Sequence, residues 1–142
     1  MLRAVSQQDV ELLEGLFAGV QNLDKEAVLA LLPQMISELC DPEIEWIEDP
    51  TRADARVFRG HDGVRASWER WLENFDEYGF EVESITDHGD RVLVAGAEHG
   101  RGRASGADVA ARVHVVCTFR DGKILRYEEF YDEQHALAAL ER

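Results

Sequence analysis

The second half of the chain changes period. FEVESITD (80–87), DRVLVAGAEHGRG (90–102), DVAARVHVVCTF (108–119) and KILRYEEFYD (123–132) read as strands, with side chains alternating between two faces. HGD, the RASGA segment and RDG join them, and such short glycine-containing connections turn each strand back on the one before. The spacing therefore predicts consecutive antiparallel hairpins. In segment 108–119 Ala111, Val113, Val115, Cys117 and Phe119 make an apolar face, opposite Arg112, His114, Val116 and Thr118. In segment 123–132 Leu125, Tyr127, Glu129 and Tyr131 share one face, and Ile124, Arg126, Glu128 and Phe130 the other. An apolar sheet face of this kind has to be covered by something.

The first half supplies the cover. Ser6 and Asp9 give a weak capping box, after which Val10, Leu13, Leu16, Phe17 and Val20 recur at helical spacing. Asp24 caps a second helix with Val28, Leu31, Leu32 and Met35 inward. Pro33 lacks the donor for the preceding turn, so a break is expected there, with PQMISEL as a separate short helix. Ile44 to Glu48 alternates as a strand, and RVFRG (56–60) is its expected short partner. HDGVRASWERWLENF is the strongest helix, with Val64, Trp68, Trp71, Leu72 and Phe75 on one stripe; EQHALAAL closes the chain as a brief helix. Helices followed by a meander make an α+β domain spanning residues 1–142. Its N-terminal helices pack in the concave face of a strongly curved antiparallel sheet, a cone with an apolar interior suited to a small molecule.

Charge excludes other classes. Against 15 Lys and Arg stand 29 Asp and Glu, a formal charge of −14 that repels nucleic acid and anionic membrane surfaces. Arg101 and Arg103 are the only local basic concentration. Cys40 and Cys117 form no CxxC pair, and two lone thiols suit a reducing compartment. MLRAVSQQDV lacks the apolar run of a signal peptide, and no segment reaches membrane-spanning length. A cytoplasmic protein is the expectation.

Four stretches carry a resemblance: LxxLFAGVQNLDKEAVLALL, DPEIEWIEDP, VFRGHDGVRASWERWL and VHVVCTFRDGKILRYEEFYD. Together they resemble the SnoaL-like branch of the nuclear transport factor 2-like superfamily, over roughly residues 9–140. PQMISELC looks like an insertion relative to that pattern. The resemblance implies a cystatin-like α+β barrel, a homodimer and no cofactor, but the superfold hosts isomerases, cyclases, dehydratases, hydrolases and non-catalytic domains. In its ketosteroid isomerases a general-base Asp sits in a VEDP-like sequence, matched here by IEDP and therefore by Asp49. The isomerases' two oxyanion donors fall on Leu16 and Val115, which are apolar. In its limonene epoxide hydrolases an Asp-Arg-Asp set maps onto Glu98, Gly96 and Glu129, with Tyr127 at an aromatic position. The acids remain and the cation is gone.

Alternation supplies an independent check on those residues. If Tyr127 and Glu129 join the apolar face, they are polar groups in a greasy cavity, and desolvation raises such a carboxyl's pKa into the range of acid–base work. In the other register Glu129 faces solvent and Ile124 and Phe130 turn inward. Asp49 is either a base at the pocket rim or a turn residue before Pro50. Glu98 and Glu129 are either a coupled acid pair or exposed strand residues. His99 and His114 fall on the face away from the pocket, and the histidines show no metal-ligand spacing. The mixed face of Arg112, His114, Val116 and Thr118 is too apolar for free solvent, which predicts a homodimer through the outer sheet face.

The leading expectation is acid–base chemistry on a small hydrophobic or polyketide-like molecule, of isomerase, cyclase, dehydratase or hydrolase type. Asp49 is the base, Glu98 and Glu129 an acid or water-orienting pair, and Tyr127 a donor. Phe17, Trp46, Trp68, Val113, Val115 and Cys117 line the pocket, and no metal is expected. The alternative is a non-catalytic ligand-binding or dimerisation domain.

Overall fold

The computed structural model describes residues 7–19, 25–102, 106 and 108–142, the side chains at 12, 16–19 and 109 apart. The expected caps Ser6 and Asp24, and the side chains of Leu16, Phe17 and Val20, lie outside that set. The elements in chain order are α1 (Gln7–Gly19), α2 (Lys25–Leu39), β1 (Cys40–Ile47), β2 (Val57–Arg59), α3 (Gly60–Leu72), β3 (Phe75–His88), β4 (Arg91–Gly102), β5 (Asp108–Arg120), β6 (Lys123–Phe130) and α4 (Glu133–Leu140). Among the described residues no helix is long and apolar enough to cross a membrane.

The hairpins form as their turns dictate. Asp121 and Gly122 both have positive φ, 50° and 80°, which is the paired left-handed backbone of a tight hairpin turn. The six strands lie in the order β2-β1-β6-β5-β4-β3. Each neighbouring pair is antiparallel except β1 with β6, which run parallel and set Trp46 beside Tyr127. That one parallel seam departs from the all-antiparallel expectation, because β1 reaches β6 from the helical half of the chain and not through a hairpin. Extra residues at Asp76, Glu83 and Leu125 interrupt the pairing. Such bulges increase the local twist and curl the sheet.

Leu13, Leu32, Ile36, Leu39 and Val64 from the helices pack against Val92, Val94, Val113, Val115, Cys117 and Phe119 from the sheet. Burying each larger aliphatic side chain stabilises the fold by about 1.5–3 kcal/mol. On the opposite sheet face α4 lays Ala136 and Ala139 over Val116 and Phe130. This helix covers much of the face that the sequence left half-apolar, and His114 and Thr118 are buried there as well.

Three local expectations are corrected. Helix α2 continues through Pro33, which is exposed, while Val28, Leu32, Ile36 and Leu39 hold one buried stripe on both sides of it. A helix-interior proline costs about 3 kcal/mol, and burying Ile36 and Leu39 offsets that at about 1.5–3 kcal/mol each. Phe75 opens β3 instead of ending α3, so β3 begins before the expected Phe80. Ile124 faces the inner core opposite Phe119, because the extra residue Leu125 shifts the alternation between them and Tyr127.

Candidate active site

The alternation of β1 places Ile44, Trp46 and Glu48 on its inner face. Trp46 stacks on Tyr127 with centroids 3.6 Å apart and planes 2° from parallel. Beside this stack lies a cavity of about 40 Å³. Its walls come from Ser67, Trp68 and Trp71 of α3, Tyr78 and Phe80 of β3, Glu98 of β4 and Val113 of β5; Glu129 of β6, Glu48 and Arg52 complete it. Arg52 lies on the loop between β1 and β2.

Four charges meet here, and they are unequally satisfied. Glu48 accepts hydrogen bonds from the Arg56 backbone N–H at 3.1 Å, Ser67 Oγ at 3.2 Å and Arg70 Nη1 at 3.2 Å. Glu98, buried, accepts one from the Tyr78 hydroxyl at 3.0 Å. Burial raises the Glu98 pKa, opposed by Tyr78, Arg52 and the Tyr131 hydroxyl. Glu129 differs: its Oε1 is buried without a hydrogen-bond partner, and Arg52 Nη1 stands 3.7 Å away. Burial first, and then repulsion from Glu98, push Glu129 up to about 7; Arg52 and the Asp49 backbone N–H pull the other way. The phenols of Tyr78, Tyr127 and Tyr131 are all raised, by burial first and by the carboxylates next. At neutral pH they are hydrogen-bond donors, not bases.

Arg52 is held between acids. Its Nη1 lies 3.7 Å from Glu48 Oε2 as well as from Glu129, its Nη2 is 3.2 Å from Asp54, and its guanidinium sits 4.9 Å above the Trp71 ring. The cation missing from the resemblance therefore arrives from the loop after β1. Gly96 could not have supplied it. A Cβ there would collide with the Glu81 carbonyl and come within 2.9 Å of the Phe80 ring.

Of the expected site residues, Glu98, Glu129, Tyr127, Trp46, Trp68 and Val113 line the cavity. Asp49 does not. Its Oδ1 accepts from the Thr51 backbone N–H and hydroxyl, both at 2.7 Å, and its Oδ2 accepts from the Tyr131 backbone N–H at 2.7 Å. Those bonds outweigh its burial and hold its pKa below the ordinary value, so it is a poor base at neutral pH. Val115 and Cys117 lie further along β5 in the packed core under the helices, away from the cavity. Phe17 belongs to the side chains outside the described set. Burial pushes Cys40 up to about 12 and raises Cys117 too, leaving both thiols unreactive.

Glu48, Arg52, Ser67, Tyr78 and Phe80 are site residues that sequence reasoning did not single out. Alternation from Ile44 through Trp46 points to Glu48 and passes over Asp49, so that signal was present. Tyr78 was hidden because β3 starts earlier than FEVESITD suggests, and Arg52 because a loop residue has no period. Among the described residues no group of three or more His, Cys, Asp or Glu side chains could hold a metal ion.

No curated protein matches the sequence. Solved structures share the fold. TerC co-crystallised with polyporic acid superposes with a TM-score of 0.69 at 20% identity, over 96% of this chain and 100% of that one. A putative SnoaL-like polyketide cyclase from Jannaschia sp. CCS1 gives 0.71 at 20% identity, over 96% and 93%. A nuclear transport factor 2-like protein from Burkholderia thailandensis E264 gives 0.68 at 26% identity, over 96% and 99%. The sequence itself matches the SnoaL-like domain over residues 13–127, from the buried Leu13 of α1 to the cavity-lining Tyr127, and the chain belongs to that family.

Proposed function

We propose that this SnoaL-like domain moves protons on a small, largely hydrophobic, planar molecule without a cofactor, with Glu129 as the acid–base group. The observation that carries the reading is the buried Glu129 Oε1, which has no hydrogen-bond partner and belongs to a residue lining an aromatic-walled cavity. With a pKa of about 7, Glu129 gives up or takes a proton at neutral pH with little free-energy cost in either direction. Glu98 keeps it from ionising freely, and Tyr78 fixes Glu98 in place. Arg52 limits how far Glu129 rises and stabilises negative charge formed on a bound carbonyl or enol. Tyr127, a neutral phenol on the cavity wall, is a donor to the same charge. Polyketide-like ring compounds are the first to try, since one structural relative is called a polyketide cyclase and another was co-crystallised with polyporic acid.

The test is proton exchange. Enolisable ring ketones and polyketide-like phenols are incubated with the protein in deuterated water, and label uptake is followed by NMR. Uptake should fall at least about 100-fold in Glu129→Gln, the usual scale of a lost acid–base group. Equal uptake in the parent chain and the variant removes Glu129 from the chemistry. A second reading, a non-catalytic binding domain, is favoured by the cavity's size. At about 40 Å³ it is well below the roughly 150 Å³ of a cavity that takes up benzene, so a ring-sized ligand needs the walls to move or has to sit partly in the mouth. Binding without exchange for every compound would establish that reading.

A homodimer through the outer sheet face stands as a separate proposal, on the part of that face beyond α4. Light scattering at micromolar concentration is its test, and a monomer ends it.

A further inference from the structure

Asp49 is buried, fully hydrogen-bonded and excluded from the cavity, yet it stands between two residues that matter there. Its side chain and its backbone act in opposite directions. The carboxylate gathers the Thr51 N–H and hydroxyl on one oxygen and the Tyr131 N–H on the other, each at 2.7 Å. Its own backbone N–H faces the Glu129 carboxylate and helps to hold that group's pKa down. The Arg52 N–H donates to the Asp49 carbonyl at 3.1 Å, which closes the turn carrying Arg52. The far end of the loop is fixed independently, by Glu48 N–H to Arg56 O at 3.1 Å and by Arg56 N–H to Glu48 Oε1 at 3.1 Å.

We infer that Asp49 is a positioning residue: it ties the loop after β1 to the end of β6 and thereby sets the Arg52 guanidinium between Glu48 and Glu129. This rests on Glu129 being the acid–base group. The geometry is demanding because every partner of the carboxylate is a donor. Asparagine is the same size, but its NH2 would face one of those donors, so it can keep the Thr51 side or the Tyr131 side and not both. An amide substitution that is mild on a surface is disruptive here.

Glu129 reports the result. The groups that face it are Arg52, Glu48 and the Asp49 N–H from the β1 end, Tyr78 from β3, Glu98 from β4, and Tyr127 and Tyr131 along its own chain segment. Its titration midpoint is read from side-chain carboxyl NMR in the parent chain, Arg52→Gln, Asp49→Asn and the double variant. Removing the cation should raise the Glu129 midpoint by about half a pH unit or more in the parent background. With Asp49→Asn already present, Arg52→Gln should change it by no more than about 0.2 units, since the interaction is already lost. An Arg52 effect of equal size in both backgrounds overturns the proposal, and so does no Arg52 effect in the parent chain. A purely structural Asp49 would lower the melting temperature and leave the cycle additive. If Asp49→Asn does not fold, Thr51→Val removes one of the three donors and should shrink the Arg52 effect; an unchanged effect again overturns the proposal. A parent-chain Glu129 titrating near 4.5 would sink the acid–base reading instead, and the cycle would still be read on its own.

Discussion

Glu128 and Glu129 are chemically identical neighbours on one strand, and the sheet separates their fates. Glu128 points to the outer face, where Oε1 accepts from Arg126 Nη2 at 3.3 Å and Arg142 Nη2 at 3.1 Å. Glu129 points inward, where its Oε1 has no hydrogen bond and a single cation at 3.7 Å. Both are largely buried. One is an anchor for the chain's C-terminal end, and the other is a carboxyl held near the point of ionisation. The lesson is that two adjacent buried carboxyls can be satisfied very differently, one by two hydrogen-bonded guanidiniums and the other by a single cation beyond hydrogen-bond distance.

The sharpest way to break this contrast is Glu129→Gln, expected to lower proton exchange about 100-fold or more while Glu128→Gln leaves it unchanged. Comparable losses in both variants would mean the inner face is not special. Next in size is the pH dependence of stability. Glu129 rises from 4.5 to about 7 on folding, so the native state binds the extra proton between those values. Its contribution is fully present below 4.5, declines as pH rises through that window, and is gone above 7. The span is about 3 kcal/mol as an upper scale. Denaturant melts from pH 4 to pH 8 should show a shallower fall for Glu129→Gln than for the parent chain, and parallel curves would refute the assignment. Smaller again, Glu128→Gln should destabilise the fold by about 1–3 kcal/mol, because charged hydrogen bonds to a buried group are lost. Smallest is Arg126→Ala, at about 1 kcal/mol or less, since Arg126 is partly exposed and Arg142 still holds Glu128.

The same strand shows how far the sequence could be read. Period two grouped Tyr127 with Glu129 and Glu128 with Phe130 on opposite faces and left open which pair turns inward; the structure turns Tyr127 and Glu129 to the cavity. Sequence reading failed at Ile124, where one bulged residue resets the count, and bulges leave no mark that periodicity can detect. It failed at Pro33 because the local cost of a proline is smaller than the burial gained on both sides of it. At IEWIEDP the alternation pointed to Glu48 while the proline and the resemblance pointed to Asp49. The cavity took Glu48 and the turn took Asp49. Arg52 was illegible because its placement depends on where a loop closes, and the bonds that close it join Asp49 to Thr51, Arg52 and Tyr131 and Glu48 to Arg56, partners that no local spacing reveals.

The parallel seam between β1 and β6 also sets a timetable. Trp46 and Tyr127 are roughly eighty residues apart, and their rings cannot stack until the last strand exists. Pairings this distant in sequence form slowly, after the local hairpins and helices. During synthesis Glu48 and Arg52 leave the ribosome long before Glu129, and they wait in a half-built wall without the carboxyl that completes it. The wall that joins Glu48, Arg52 and Glu129 is therefore among the last things this chain assembles, and a product truncated before β6 would retain most of its strands and lack the Glu129 side of the cavity.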